Sequence, residues 1–126
     1  MTQIIFAGSN LASLPAFKKG IEESGGRVTC LGSSGQVMEA ISERGFDLLI
    51  ADESLGDMSG IDLVEKGIAR NPMLNCAVVS SLTPDEYHEA SEGLGILMQL
   101  PSEPGPEEAD ALMKHLAKIQ SFKVGS

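Results

Sequence analysis

Asp52 stands where an apolar run, Phe46–Ala51 (FDLLIA), gives way to a polar loop, and Gly60 follows eight residues later at the opening of a helical pattern. A carboxylate at the carboxyl end of a strand faces solvent and ligand, so it can act as a nucleophile toward a phosphoryl group. The plainer alternative is a polar strand terminator or a helix-capping Asp. Ser80 and Ser81 close a second apolar run, Asn75–Val79 (NCAVV), and hold hydroxyls in the same kind of position. Glu53 and Asp57 share the loop with Asp52. Phosphoryl transfer needs more than one carboxylate, because charge building on the transferring oxygens has to be neutralised by a metal ion or a cation.

Other chemistries find less support. His88 and His115 have no Cys, Asp or second His at metal-ligand spacing, and both are expected on helices, at the surface or half-buried. Ser9, Ser80 and Ser81 lie outside any GxSxG elbow and have no evident His–Asp partners. The turns at Gly8 and Gly32 lack the Lys-Ser/Thr of a P-loop and the GxGxxG of a dinucleotide site.

The elements that must position these residues alternate regularly. Gln3–Ala7 (QIIFA) is a short apolar strand ending at a Gly-Ser-Asn turn. Leu14, Phe17 and Ile21 form a helical face that stops at Gly25-Gly26, and Pro15 restricts that helix to a start near Ser13. Arg27–Leu31 is a second strand, followed by a helix carrying Val37, Ala40 and Ile41 that Gly45 closes. The strand over 46–51 is apolar nearly throughout, as a strand covered on both faces should be. After the helix of Ile61, Val64 and Ile68, which ends at Asn71-Pro72, comes a fourth strand, Asn75–Val79. Thr83-Pro84-Asp85-Glu86 is a helix start with a Thr cap, Pro at the first position and Glu three after the cap. Gly95–Leu100 (GILMQL) is a fifth strand, and a last helix aligns Ala109, Leu112, Met113, Leu116, Ile119 and Phe122.

Five strands, each followed by a helix, imply an α/β fold: a parallel sheet with right-handed crossovers and helices on both faces. A barrel needs about eight such units, so a flavodoxin-like (βα)5 three-layer sandwich is expected, with strand order 2-1-3-4-5. Its functional crevice lies at the carboxyl ends of the strands, where Gly8, Asp52, Ser80 and Leu100 fall. The expectation is one domain over residues 1–126, although the last residues, Lys123-Val124-Gly125-Ser126, read as a domain boundary as much as a terminus.

The spacing of Asp52, Leu55, Met58 and Gly60, together with the β-α alternation over the whole chain, resembles the receiver domains of two-component response regulators. The resemblance implies that Asp52 takes a phosphoryl group from a histidine kinase. It implies that the Ser80 hydroxyl follows that group on activation, that Ser81 contacts the phosphate, and that the carbonyl of Ser54 joins Asp52 as a metal ligand. Receivers usually carry Pro where this chain has Gly56. More consequentially, the family's acidic pair for Mg²⁺ falls on Gly8-Ser9, or on Ser9-Asn10 if the register slips by one. Its Lys falls on Leu100, before Pro101, and its aromatic switch residue on Leu97.

Mg²⁺ sites are built from carboxylates, waters and substrate oxygens, so Asp52 and one carbonyl make a weak site. Losing one electrostatic group of this kind typically costs about 3 kcal/mol, or a factor of ~10²–10³ in rate. Glu53 or Asp57 could restore a second carboxylate, but residues adjacent on an extended backbone point to opposite sides, which favours solvated loop acids. The expected function is a non-enzymatic, receiver-like phosphorelay module acting through protein–protein interaction, with weakened or absent Mg²⁺-dependent phosphorylation. Its partner would be a signalling protein, a histidine kinase or a second copy of the chain. The alternatives are a phosphorylation-competent receiver completed by Glu53 or Asp57, and an unrelated flavodoxin-like enzyme.

Bulk properties agree with an intracellular signalling domain. The chain has 126 residues, 42% hydrophobic and 21% charged, with a formal net charge of −9 and no basic cluster to bind nucleic acid. No apolar run reaches the ~18 residues of a membrane span, and the N-terminus has no basic region of a signal peptide. Cys30 and Cys76 lie in apolar runs outside any CxxC pair, so both are expected as buried, reduced thiols in a cytoplasmic protein.

Overall fold

A computed structural model of the chain describes residues 2–8, 15–42, 46–53, 58–71, 74–94, 96–101 and 103–124, with side chains described as far as 119. Strands and helices alternate as β1 (Thr2–Ala7), α1 (Pro15–Glu23), β2 (Gly26–Leu31), α2 (Ser34–Ser42), β3 (Leu48–Ala51), α3 (Gly60–Arg70), β4 (Asn75–Val79), α4 (Pro84–Ala90), β5 (Met98–Leu100) and α5 (Pro106–Val124). The five strands form one parallel sheet in the order β2-β1-β3-β4-β5. The expected flavodoxin-like sandwich is therefore the observed one.

The two-residue period of a strand divides the core in two. Ile4, Phe6, Leu48, Ile50, Ala77 and Val79 point to one face, where Phe17 and Ile21 of α1 and Leu112 and Leu116 of α5 cover them. The intervening Ile5, Ala7, Leu49, Ala51, Cys76 and Val78 point to the other, against Val37 and Ile41 of α2 and Leu63 and Val64 of α3. All four residues of β3 are buried, because the central strand is covered on both sides.

Several boundaries shift for identifiable reasons. β3 starts at Leu48, since Asp47 turns its carboxylate onto the Gln3 N–H at 2.8 Å while its own N–H donates to the Gln3 carbonyl at 2.8 Å. β5 is shorter than Gly95–Leu100 and begins at Met98, although the Leu97 N–H still donates to the Cys76 carbonyl at 2.7 Å. The helix start near Ser13 and the closing Gly45 fall outside the described residues, as does the Phe122 side chain. Cys76 is buried, but Cys30 is exposed, contrary to expectation. It lies on β2, an edge strand paired only with β1, so an apolar run there does not guarantee cover. Among the described residues, no helix is long and apolar enough to cross a membrane.

Candidate functional site at the carboxyl edge of the sheet

The parallel ladder runs one residue past three strands and sets the site residues side by side. The Gly8 N–H donates to the Leu31 carbonyl, the Asp52 N–H to the Ala7 carbonyl, and the Ser80 N–H to the Leu100 carbonyl, each at 2.9 Å. Gly8, Asp52 and Ser80 are thus held in strand register after β1, β3 and β4 although none counts as a strand residue. This places together the ends that the sequence pattern singles out.

Asp52 is wedged between two glycines. A Cβ on Gly8 would meet the Asp52 Cβ at 2.7 Å and its Oδ2 at 3.1 Å. Gly8 also has φ +150°, a conformation that residues with a side chain rarely adopt. On the opposite side, a Cβ on Gly60 would run into the Asp52 carbonyl. The Gly60 N–H donates to the Glu53 carbonyl at 3.1 Å, and Ser59 caps α3 by accepting from the Asp62 N–H at 3.2 Å. One carboxylate oxygen of Asp52, Oδ1, accepts from the Glu53 N–H at 2.8 Å.

Glu53 turns toward β4, away from Gly8, in keeping with the alternation of an extended backbone. It is more than a solvated loop acid, however. Its Oε1 accepts from the Ser81 N–H at 3.1 Å and from the Ser81 hydroxyl at 2.5 Å. Ser80 beside it is buried, and its Oγ accepts from the Leu82 N–H at 3.1 Å. Gln99, which the sequence reading passed over, donates from Nε2 to the Leu82 carbonyl at 2.9 Å and the Ser80 carbonyl at 3.4 Å. The one available signal was a polar residue inside the apolar run GILMQL. A pocket of about 210 Å³ lies on one side of the Ser80–Leu82 segment, with Glu53, Ser59 and Ile61 in its wall. An open hollow of about 420 Å³ lies on the other, bounded by Ser81, Pro84, Gln99 and Pro101.

Positive charge is missing from this edge where the resemblance would put it. Leu100 is fully buried in the α1/α5 core, and Leu97 is a half-buried hydrophobic packed on that core. A Mg²⁺ ion would find Asp52 among the described residues, but its neighbour at the end of β1 is a glycine with no room for a side chain. The next carboxylate, Glu53, has one oxygen, Oε1, taken by both Ser81 donors. No group of three or more His, Cys, Asp or Glu able to hold a metal occurs among the described residues. Among the described residues, the donor set does not fit Mg²⁺. Ser54 and Asp57, the other expected ligands, lie outside the described residues, as do Ser9, Asn10, Leu55 and Gly56. His88 and His115 are exposed, on α4 and α5, away from any such cluster.

No protein-family model and no curated protein sequence matches the chain. Solved structures match its fold throughout. A CheY-like response regulator receiver domain protein from Methanospirillum hungatei JF-1 superposes with a TM-score of 0.79 at 23% identity, covering 100% of this chain and 99% of that one. A response regulator receiver domain protein from Clostridium thermocellum gives 0.82 at 14% identity, with 97% and 98% covered. A response regulator from Burkholderia pseudomallei, solved with a phosphorylated aspartic acid, a calcium ion and citrate, gives 0.74 at 15% identity, covering 98% of this chain and 73% of that one. The chain has the fold of response regulator receiver domains.

Proposed function

We propose that residues 1–126 form a single receiver-like signalling domain of the two-component type, which acts through contacts with other proteins and not as an enzyme. In this reading Asp52 stands at the phospho-acceptor position, Ser80 at the switch hydroxyl, Ser81 at the phosphate contact and the Ser54 carbonyl at the main-chain metal position. Mg²⁺-dependent phosphorylation is weak or lost. One observation carries this: Gly8 packs on Asp52 where metal-binding carboxylates would have to stand. The burial of Leu100 adds to it, since the position where the resemblance puts a cation, to offset charge on a transferring phosphoryl group, is then apolar. The hydrogen bonds from Ser81 also speak against Glu53 as a substitute metal ligand.

The partner would be a histidine kinase, another signalling protein or a second copy of the chain, met through α4, β5 and α5. That surface is supported by α4, which has no buried residue, and by β5, which is a sheet edge. Incubation with a small-molecule phosphodonor, and titration with beryllofluoride in millimolar Mg²⁺, test the reading. Weak or no labelling of Asp52 is expected. Clear labelling that disappears in Asp52→Ala would overturn the unphosphorylated mode of action.

A further inference from the structure

The segment joining β4 to α4 is satisfied by the chain itself at every backbone N–H. The Ser80 N–H goes to the Leu100 carbonyl, Ser81 to the Glu53 carboxylate, Leu82 to the Ser80 Oγ, and Thr83 to the Glu86 carboxylate at 3.1 Å. The carbonyls of Ser80 and Leu82 are taken by Gln99. Most of these bonds come from within the segment, from β5 or from the first turn of α4. The exception is the one made by Glu53, which reaches across from the loop after β3 and is the only negatively charged group bound to Ser81 among the contacts described.

We propose that Glu53 is a built-in anion that occupies the donors after β4 and holds the Ser80–Thr83 segment in one setting, independent of any modification of Asp52. This rests on the receiver-like reading of the same crevice, and it names how that site is regulated. An anion delivered to Asp52 would need hydrogen-bond donors after β4 to draw the segment inward. Here both the N–H and the hydroxyl of Ser81 already converge on Glu53 Oε1. The position of α4, which begins directly after Thr83, is then set by residue 53 and not by the chemical state of residue 52.

Amide hydrogen exchange and ¹H–¹⁵N spectra of the full chain test this. Glu53→Ala removes the acceptor, and Glu53→Asp keeps the charge but shortens the arm by one methylene. Both should speed exchange of the Ser81 N–H by about tenfold, the loss expected for a hydrogen bond to a charged acceptor, and shift the resonances of Leu82 through Tyr87. Asp52→Ala should leave Ser81 exchange within about twofold of the parent. Unchanged Ser81 exchange in Glu53→Ala would overturn the proposal, and so would an equal acceleration in Asp52→Ala. Beryllofluoride separates the two readings. Binding at Asp52 that leaves Ser81 undisturbed would refute the unphosphorylated mode of action while supporting the Glu53 anchor. Binding that draws the Ser81 N–H off Glu53 would refute both.

Discussion

Gly8 lies so close to Asp52 that a Cβ at residue 8 would sit 2.7 Å from the Asp52 Cβ. The nearest obstacle is the root of the Asp52 side chain and not its carboxylate. Together with φ +150°, this predicts that Gly8→Ala costs about 2 to 4 kcal/mol in urea unfolding, from backbone strain and overpacking combined. Asp52→Ala should give no relief, because it keeps the Cβ. Asp52→Gly should remove the closest contact and leave the strain and the Phe6 ring at 3.3 Å. Gly8→Asp, which would restore an acid at this position, should destabilise the fold before it creates a metal site.

Gly60 supports Asp52 from below. The Cβ of Gly60→Ala would meet the Asp52 carbonyl, which belongs to backbone held by the Ala7 carbonyl and cannot swing aside as a side chain can. A loss of about 3 kcal/mol is expected, in spite of the better helix propensity of Ala. Chemical-shift changes should centre on Asp52 and Glu53.

Gln99 has both of its contacts on carbonyl oxygens, so it acts through its donors alone. Gln99→Leu should lower stability by about 1 to 2 kcal/mol, since the two carbonyls lose their partner near a buried Ser80. Gln99→Glu should be worse at neutral pH, where an ionised carboxylate can only accept, and should recover part of the loss in acid as it gains a proton. Thermal melts of both variants across pH measure this.

The two thiols should differ sharply. Cys30 is exposed and should react with a thiol reagent in the native state, whereas buried Cys76 should react only on unfolding. Burial pushes the Cys76 thiol up to about 12 from the ordinary 9.0, because the thiolate is poorly solvated inside the core. The folded chain then keeps a proton that the unfolded chain loses. The resulting stability is complete below pH 9.0 and falls as pH rises toward 12, at about 1.4 kcal/mol per unit. Cys76→Ala should flatten that part of the pH–stability curve relative to the parent. An unchanged slope would mean that other groups cause it.

Much of the architecture was legible in local pattern. The β-α alternation, the buried FDLLIA strand and the Thr83–Glu86 capping box depend on residue type and short spacing, and they reappear in the fold with small boundary changes. The exposure of Cys30 was not legible, because an edge strand and a central strand can carry the same apolar letters.

By itself the sequence determined that Asp52 ends a strand, that Gly60 opens the next helix, and that no carboxylate follows the first strand and no lysine ends the fifth. Those facts are one-dimensional. Only the tertiary structure decided that Gly8 closes on Asp52, that Glu53 reaches Ser81, and that Gln99 ties down the segment between them and α4. The reason is the parallel sheet. Its crossovers bring residues 28 positions apart into hydrogen-bond range at one edge, and no local propensity records which side chains meet there.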